Sequence, residues 1–240
     1  SLGPQNPSSP TQEEVWRINC GNTNSDYTDT NGNWWMKDEG FTSLYRWGYS
    51  NGTPASTTNT ILGTNLQPVF QTCRWGGTNM SYKIEVPNGN YQVKLMFTET
   101  YWNQTGKRVF NVAIEGSTIW SYLDIFSWSG GKFKALELTT NVNVNDGIMD
   151  ITFPQIFNDN ACISGIEIKV NTVSNDAFLE FVQKKMFWYF WNEANPQTGL
   201  VKWGENNWAT GYGDVSSIAS NGFALSIYTI AAQRGWITRD

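Results

Sequence analysis

The chain has 240 residues and a formal net charge of −5, from 16 Lys and Arg against 21 Asp and Glu, and it contains no His. Without a basic stripe the sequence excludes nucleic acid as a partner. The lack of His excludes Ser-His-Asp and Cys-His catalysis within this sequence and removes the commonest zinc ligand. No apolar run approaches the ~20 residues of a helical membrane span.

Three cysteines, Cys20, Cys73 and Cys162, lie too far apart for a zinc knuckle. They leave two readings open, three buried thiols or one disulfide plus a free thiol. If there is a bridge, Cys20 with Cys162 is the expected pair, because first and last strands often neighbour each other. Thirteen Trp are a large supply of rigid, amphipathic faces, which suits a neutral ligand.

In chain order, residues 1–12 are rich in Pro and Ser and read as a flexible leader or linker. They show neither the basic start nor the apolar core of a signal peptide. Residues 15–19 form a short strand that ends at Cys20-Gly21. Residues 22–65 are polar, with aromatic islands at 34–36 and 44–49. This long connection is expected to fold over one end of the domain and wall a binding site. Within it, Asp29-Thr30-Asn31-Gly32-Asn33 has half the pattern of a calcium loop. Tyr27 stands where a further acidic ligand is needed, so an Asx-rich turn competes with calcium.

Regular strands follow from residue 68. Tyr82, Ile84 and Val86 share one face, and Tyr91, Val93, Leu95 and Phe97 alternate inward. Residues 98–126 read as a strand end, a loop tipped by Tyr101 and Trp102, a strand with Phe110, Val112 and Ile114 on one face, a tight turn, and a strand closing on Leu123-Asp124-Ile125-Phe126. Further strands are expected at 133–140, 148–153 and 163–170. Strands about ten residues apart with Gly and Asn turns argue for an antiparallel β-sandwich.

Composition changes after 170. Residues 171–175 form a linker with cap candidates Ser174 and Asn175. Leu179, Val182, Met186 and Tyr189 recur at helical spacing over 176–192, and a second helix spans 215–234. Phe178, Phe181, Phe187, Phe190 and Trp191 make the first helix apolar on almost every side, so it must be covered from several directions. Two such helices cannot cover each other fully.

Five blocks, Ile18-Asn19-Cys20-Gly21, Gln71-Thr72-Cys73-Arg74-Trp75, 97–102, 109–112 and 123–126, together resemble the malectin family of carbohydrate-binding domains. The resemblance implies a jelly-roll sandwich, similar to galactose-binding domains, over residues 13–170. It also implies a sugar site made by loops at one end. Matched motif by motif, Tyr101 and Trp102 correspond to the family's aromatic pair, Trp75 to its aromatic after Gln-Thr-x-Arg, and Asp159 to its acidic residue near the last strand. Tyr49 is the choice for a further aromatic in the region 45–49.

Segments 190–200, 214–225 and 234–238 resemble the start of bacterial glucoamylase-like glycoside hydrolases, which fold as an (α/α) toroid. Residues 176–240 would then be a helical fragment of a catalytic domain missing from this chain. The two resemblances imply a mainly β chain with a C-terminal α-helical fragment. Its function would be non-catalytic: a carbohydrate-binding module for a glucan or other glucose-containing oligosaccharide, attached to a hydrolase. The destination would be secreted, periplasmic or on the cell surface, in a bacterial-like setting. No cofactor is expected apart from the calcium possibility. The competing readings are residual hydrolase activity and a protein-interaction domain.

Overall fold

The computed structural model describes residues 15–42, 46–202 and 216–238. It divides into two compact units, Ser1–Ser174 and Asn175–Asp240. The Leu44 and Tyr45 part of the 44–49 island, and residues 203–215, lie outside the described residues.

The first unit begins with β1 (Val15–Asn19), β2 (Tyr27–Thr28), β3 (Trp34–Trp35), β4 (Trp47–Ser50) and β5 (Thr53–Ser56). A short helix, α1 (Gln67–Phe70), leads to β6 (Thr72–Gly76), β7 (Ser81–Glu85), β8 (Gly89–Thr98), β9 (Val109–Ile114) and β10 (Ser117–Leu123). After α2 (Ile125–Ser129) come β11 (Ala135–Val144), β12 (Ile148–Thr152), β13 (Ile156–Asn158), β14 (Ala161–Ile163) and β15 (Gly165–Thr172).

One sheet has the order β1-β15-β8-β11, and the other β10-β9-β12-β7-β4, with β13 also pairing β9. Two small sheets, β14-β6-β5 and β2-β3, complete the unit. Every ladder is antiparallel. The inward residues foreseen from alternation meet between the two large sheets: Tyr91, Val93, Leu95 and Phe97 from β8 face a layer that includes Tyr82, Ile84, Phe110, Val112 and Ile114. The sandwich is therefore the fold. Each fully buried aliphatic or aromatic side chain there contributes about 1.5–3 kcal/mol by leaving water.

The turn between β9 and β10 places Glu115 at φ 52° and Gly116 at φ 71°, the two left-handed positions of a type I′ hairpin. Gly21, in the Ile-Asn-Cys-Gly block, sits at φ +79°, and an added Cβ would lie 2.0 Å from the Cys73 carbonyl oxygen. Its N–H donates to Asp38 Oδ2 at 2.5 Å. Asp38 is buried and also takes Arg74 Nε at 2.7 Å and the Tyr82 hydroxyl at 3.0 Å. Burial drives its carboxyl pKa up, and the Arg74 guanidinium opposes that rise. This ion pair ties the 22–65 connection to β6 and β7.

One expectation changes and two open readings are decided. Leu123-Asp124-Ile125-Phe126 does not continue a strand. Asp124 is an N-cap whose carboxylate accepts the Ser127 N–H at 3.1 Å, so Ile125 already starts α2. The cysteines are three buried thiols. β1 and β15 do pair, but the residue opposite Cys20 is Ser164, whose carbonyl takes the Cys20 N–H. The neighbour of Cys162 is Cys73, on the adjacent strand β6. Finally, the half calcium loop is a closed Asx turn. Asp29 accepts from Asn31 N, Asn33 N, Asn33 Nδ2 and Trp35 Nε1 at 2.9–3.3 Å.

The second unit holds α3 (Asn175–Asn192) and α4 (Ile218–Gln233). Ser217 and Ser220 form a reciprocal capping box at the start of α4. Phe187 is fully buried at the centre of an aromatic cluster with Trp188, Trp191, Tyr228 and Trp236. Much of the remaining apolar surface is exposed, including Leu179, Met186, Ile218, Phe223 and Leu225.

Candidate functional site

The site is built by β5, β6 and β14 together with the loop between β8 and β9 and the turn between β13 and β14. They enclose an open cleft of about 560 Å³ lined by Ala55, Ser56, Thr57, Cys73, Trp75, Thr100, Tyr101, Trp102, Arg108, Asp159, Asn160 and Cys162. Four of the five residues chosen from sequence therefore meet: Trp75, Tyr101, Trp102 and Asp159. Tyr49 does not line the cleft. Its ring packs edge-on to Tyr82 and lies 3.2 Å beneath the Arg74 guanidinium, so it supports the buried ion pair instead.

The aromatic loop is shaped from below by Glu99. This carboxylate, 1% exposed, accepts the N–H of Tyr101 at 2.8 Å and of Trp102 at 3.0 Å through Oε1. Its Oε2 takes Arg108 Nε at 2.8 Å. A buried carboxylate with three charge-assisted hydrogen bonds fixes the loop far better than apolar contact would. The two rings stand perpendicular, 89° between planes and 4.8 Å between centroids. Tyr101 is 69% exposed and Trp75 38%, so both offer a free face.

Arg108 links the two sides of the cleft. It donates Nη1 to the Asn160 carbonyl at 2.6 Å and places Nη2 3.1 Å from Asp159 Oδ2. Burial alone would lower its pKa, but Cys162, Glu99 and Asp159 around it outweigh that and raise it. Asp159 sits at φ 54° in the turn between β13 and β14. Its Oδ2 also takes Trp102 Nε1 at 2.8 Å. A Phe at 102 could not make this bond. Oδ1 meets only its neighbour Asn160 Nδ2, at 3.3 Å, and is the more available oxygen for a ligand hydroxyl.

The floor carries two thiols. Cys73 and Cys162 lie diagonally across the β6–β14 pair, since Cys162 is opposite Trp75. Hydrogen bonding between them lowers the pKa of Cys73 and raises that of Cys162, and burial pushes both upward. Among the described residues no group of three or more His, Cys, Asp or Glu is placed to hold a metal ion.

Sequence reasoning missed Arg108, Asn160 and the residues at 55–57. Arg108 had a readable signal, a cation at the mouth of an inward-alternating strand nine residues after Glu99. The rest are small or polar residues whose placement depends on how the three-stranded sheet meets the loops. Chemically, the cleft offers flat apolar rings, amide and carboxylate acceptors, a guanidinium and hydroxyls. The acidic groups Glu99 and Asp159 are both engaged by Arg108, an arrangement that binds and orients rather than one that separates an acid from a base.

The sandwich has relatives among known proteins. Receptor-like protein 4 of Arabidopsis thaliana is 31% identical over 165 residues, covering 63% of this chain and 26% of that protein. Malectin-A of Xenopus laevis is 26% identical over 127 residues, 48% of this chain and 46% of that protein. The chain thus spans less than half the length of these curated relatives. Among solved structures, a Bacteroides uniformis beta-glucuronidase superposes with a TM-score of 0.59 at 23% identity, over 66% of this chain and 18% of that one. The ANX2 ectodomain of Arabidopsis thaliana gives 0.52 at 22% identity, over 66% and 50%. These two likenesses concern the fold. The profile of the Malectin domain matches residues 14–174, two thirds of the sequence and the whole of the sandwich, so the chain belongs to the malectin domain family.

Proposed function

We propose that the malectin domain binds a glucose-containing oligosaccharide in the cleft between Trp75, Tyr101, Trp102 and Asp159, without cleaving it. The observation that carries this is the pair of perpendicular, accessible rings at 101 and 102 held above a polar wall. A pyranose has one apolar CH face and a rim of hydroxyls. The rings suit the face, and Asp159, Asn160 and Arg108 suit the rim. Shallow polar sites exchange bound water for ligand at small net gain, so affinity is expected on the order of micromolar to millimolar.

A glycan array followed by calorimetry tests this. Trp102→Ala should abolish binding while leaving the melting temperature of the domain close to wild type. Full retention of glycan binding in that variant would exclude the cleft as the site.

The helical unit bears on a second part of the reading, attachment to a glycoside hydrolase. Its support is the exposed apolar surface of α3 and α4, where Leu179, Met186, Ile218, Phe223 and Leu225 ask for further helices to cover them. An extracellular or cell-surface setting follows the same reasoning, since a polysaccharide would be met there. Reducing-end release from a glucan by the 240-residue protein would contradict a binding-only role.

A further inference from the structure

A second aromatic pair belongs to none of the walls of the cleft. Tyr122 of β10 and Phe157 of β13 stack with ring centroids 4.3 Å apart and planes inclined by 21°. Tyr122 is 63% exposed. β10 and β13 flank β9 on opposite sides, so the rings meet across the outer surface of that strand, opposite the side where Phe110 and Val112 enter the core.

The chain holds this pair at some cost. Tyr122 has φ 54°, the left-handed region that a bulky residue with a Cβ normally avoids. A register shift between Trp120 and Leu123 turns it outward. Asn111 fixes the shift: its Oδ1 accepts the Tyr122 N–H at 2.8 Å, and its Nδ2 donates to Gln155 Oε1 at 3.3 Å. Leu123 fills the core beside it, so burial of apolar area does not require Tyr122 to be there. Strain that brings a flat ring to the surface points to a ligand.

The pair is continuous with the cleft. Phe157 precedes the cleft residue Asp159 by two positions, at most about 7 Å along the chain. Asn158 between them donates to the Gly106 carbonyl at 2.9 Å, and Gly106 N–H donates to Asp124 Oδ2 at 2.6 Å, two residues beyond Tyr122. The loop after Trp102 is thereby clamped along the path from one aromatic pair to the other.

We propose that Tyr122, backed by Phe157, is a second stacking platform, and that the domain takes a run of sugar units from an oligo- or polysaccharide instead of one terminal unit. One unit would lie on Tyr101 and Trp102 and a later unit on Tyr122. This rests on the carbohydrate reading of the cleft.

The experiment is calorimetry with malto- and laminari-oligosaccharide ladders, from disaccharide to hexasaccharide, on the wild-type chain, Tyr122→Asn and Tyr122→Gly. Asn and Gly both accept the left-handed backbone, so at least one fold-competent variant without the ring is expected. Wild type should bind the longer members of one ladder about five- to tenfold more tightly than its disaccharide. The variants should keep disaccharide affinity and lose that gain. Equal affinity along the ladder in wild type, or a gain that survives in the variants, overturns the second platform while leaving the cleft intact. No binding of either ladder by wild type overturns the glucan reading and the platform with it.

Discussion

The sandwich and the helical unit treat the same kinds of residue in opposite ways. In the sandwich, Phe97, Phe110 and Phe153 are wholly buried between two sheets that each supply one apolar face. In the helical unit, Phe187 is buried, yet Phe223 is 66% exposed and Ile218 94%. The difference is one of geometry. A strand divides its side chains between two faces, so two sheets can satisfy each other. A helix that is apolar all round needs neighbours on several sides, and a single partner helix covers one stripe. Among the described residues, the sandwich buries its large apolar side chains and the helical unit leaves many of its own exposed.

The sharpest way to break the comparison is at the buried ion pair. Asp38→Ala should leave the Arg74 guanidinium buried without its counter-charge, and is expected to cost about 3–5 kcal/mol in urea unfolding of the sandwich. A loss under 1 kcal/mol would show that the pair is not part of what holds the 22–65 connection in place. A matched pair of truncations sharpens the contrast. Phe110→Ala should destabilise by about 3–5 kcal/mol, whereas Phe223→Ala should stay within about 0.5 kcal/mol. Equal effects would mean that α4 is covered as completely as β9.

Glu99→Gln is expected to cost less, about 1.5–3 kcal/mol, because its amide oxygen still accepts the Tyr101 and Trp102 N–H groups while its NH2 faces Arg108 Nε–H and that bond is lost, with Asp159 left to balance the guanidinium. Sugar affinity should fall with it, which parallel melting and binding curves will reveal. The smallest effect has the opposite sign. Tyr122→Asn relieves left-handed strain and should raise stability by up to about 1 kcal/mol, some 2–4 °C in melting temperature. A fall in melting temperature would mean that the ring contributes packing that its exposure does not suggest.

Much of this was legible in the sequence where a single periodicity governs. The alternation of Tyr91, Val93, Leu95 and Phe97 fixes which face of β8 is inside, and the spacing of Leu179, Val182, Met186 and Tyr189 marks α3. Cleft residues that carry motifs, Trp75, Tyr101, Trp102 and Asp159, were also readable. What escaped depends on relations between strands. Three buried thiols were one open reading, and Cys20 with Cys162 was the pair expected only if a bridge formed, because the outer strands adjoin, and they do. The register, however, sets Ser164 opposite Cys20 and places Cys73 near Cys162, and no local pattern encodes a register between strands ninety residues apart. Asp124 was hidden differently, since Leu-Asp-Ile-Phe alternates like a strand while its carboxylate caps a helix only five residues long. Tyr49 had the right residue type and neighbourhood, but the Arg74 guanidinium covers one face of its ring.

Glu99 has one more consequence. Because it grips the backbone amides under Tyr101 and Trp102, the loop does not have to be frozen when a guest arrives. The entropic toll of ordering is met during folding, so arrival and departure are governed by desolvation and diffusion rather than by rearrangement. A frame set in advance should therefore strengthen the hold on whatever the cleft takes, mainly by slowing its departure.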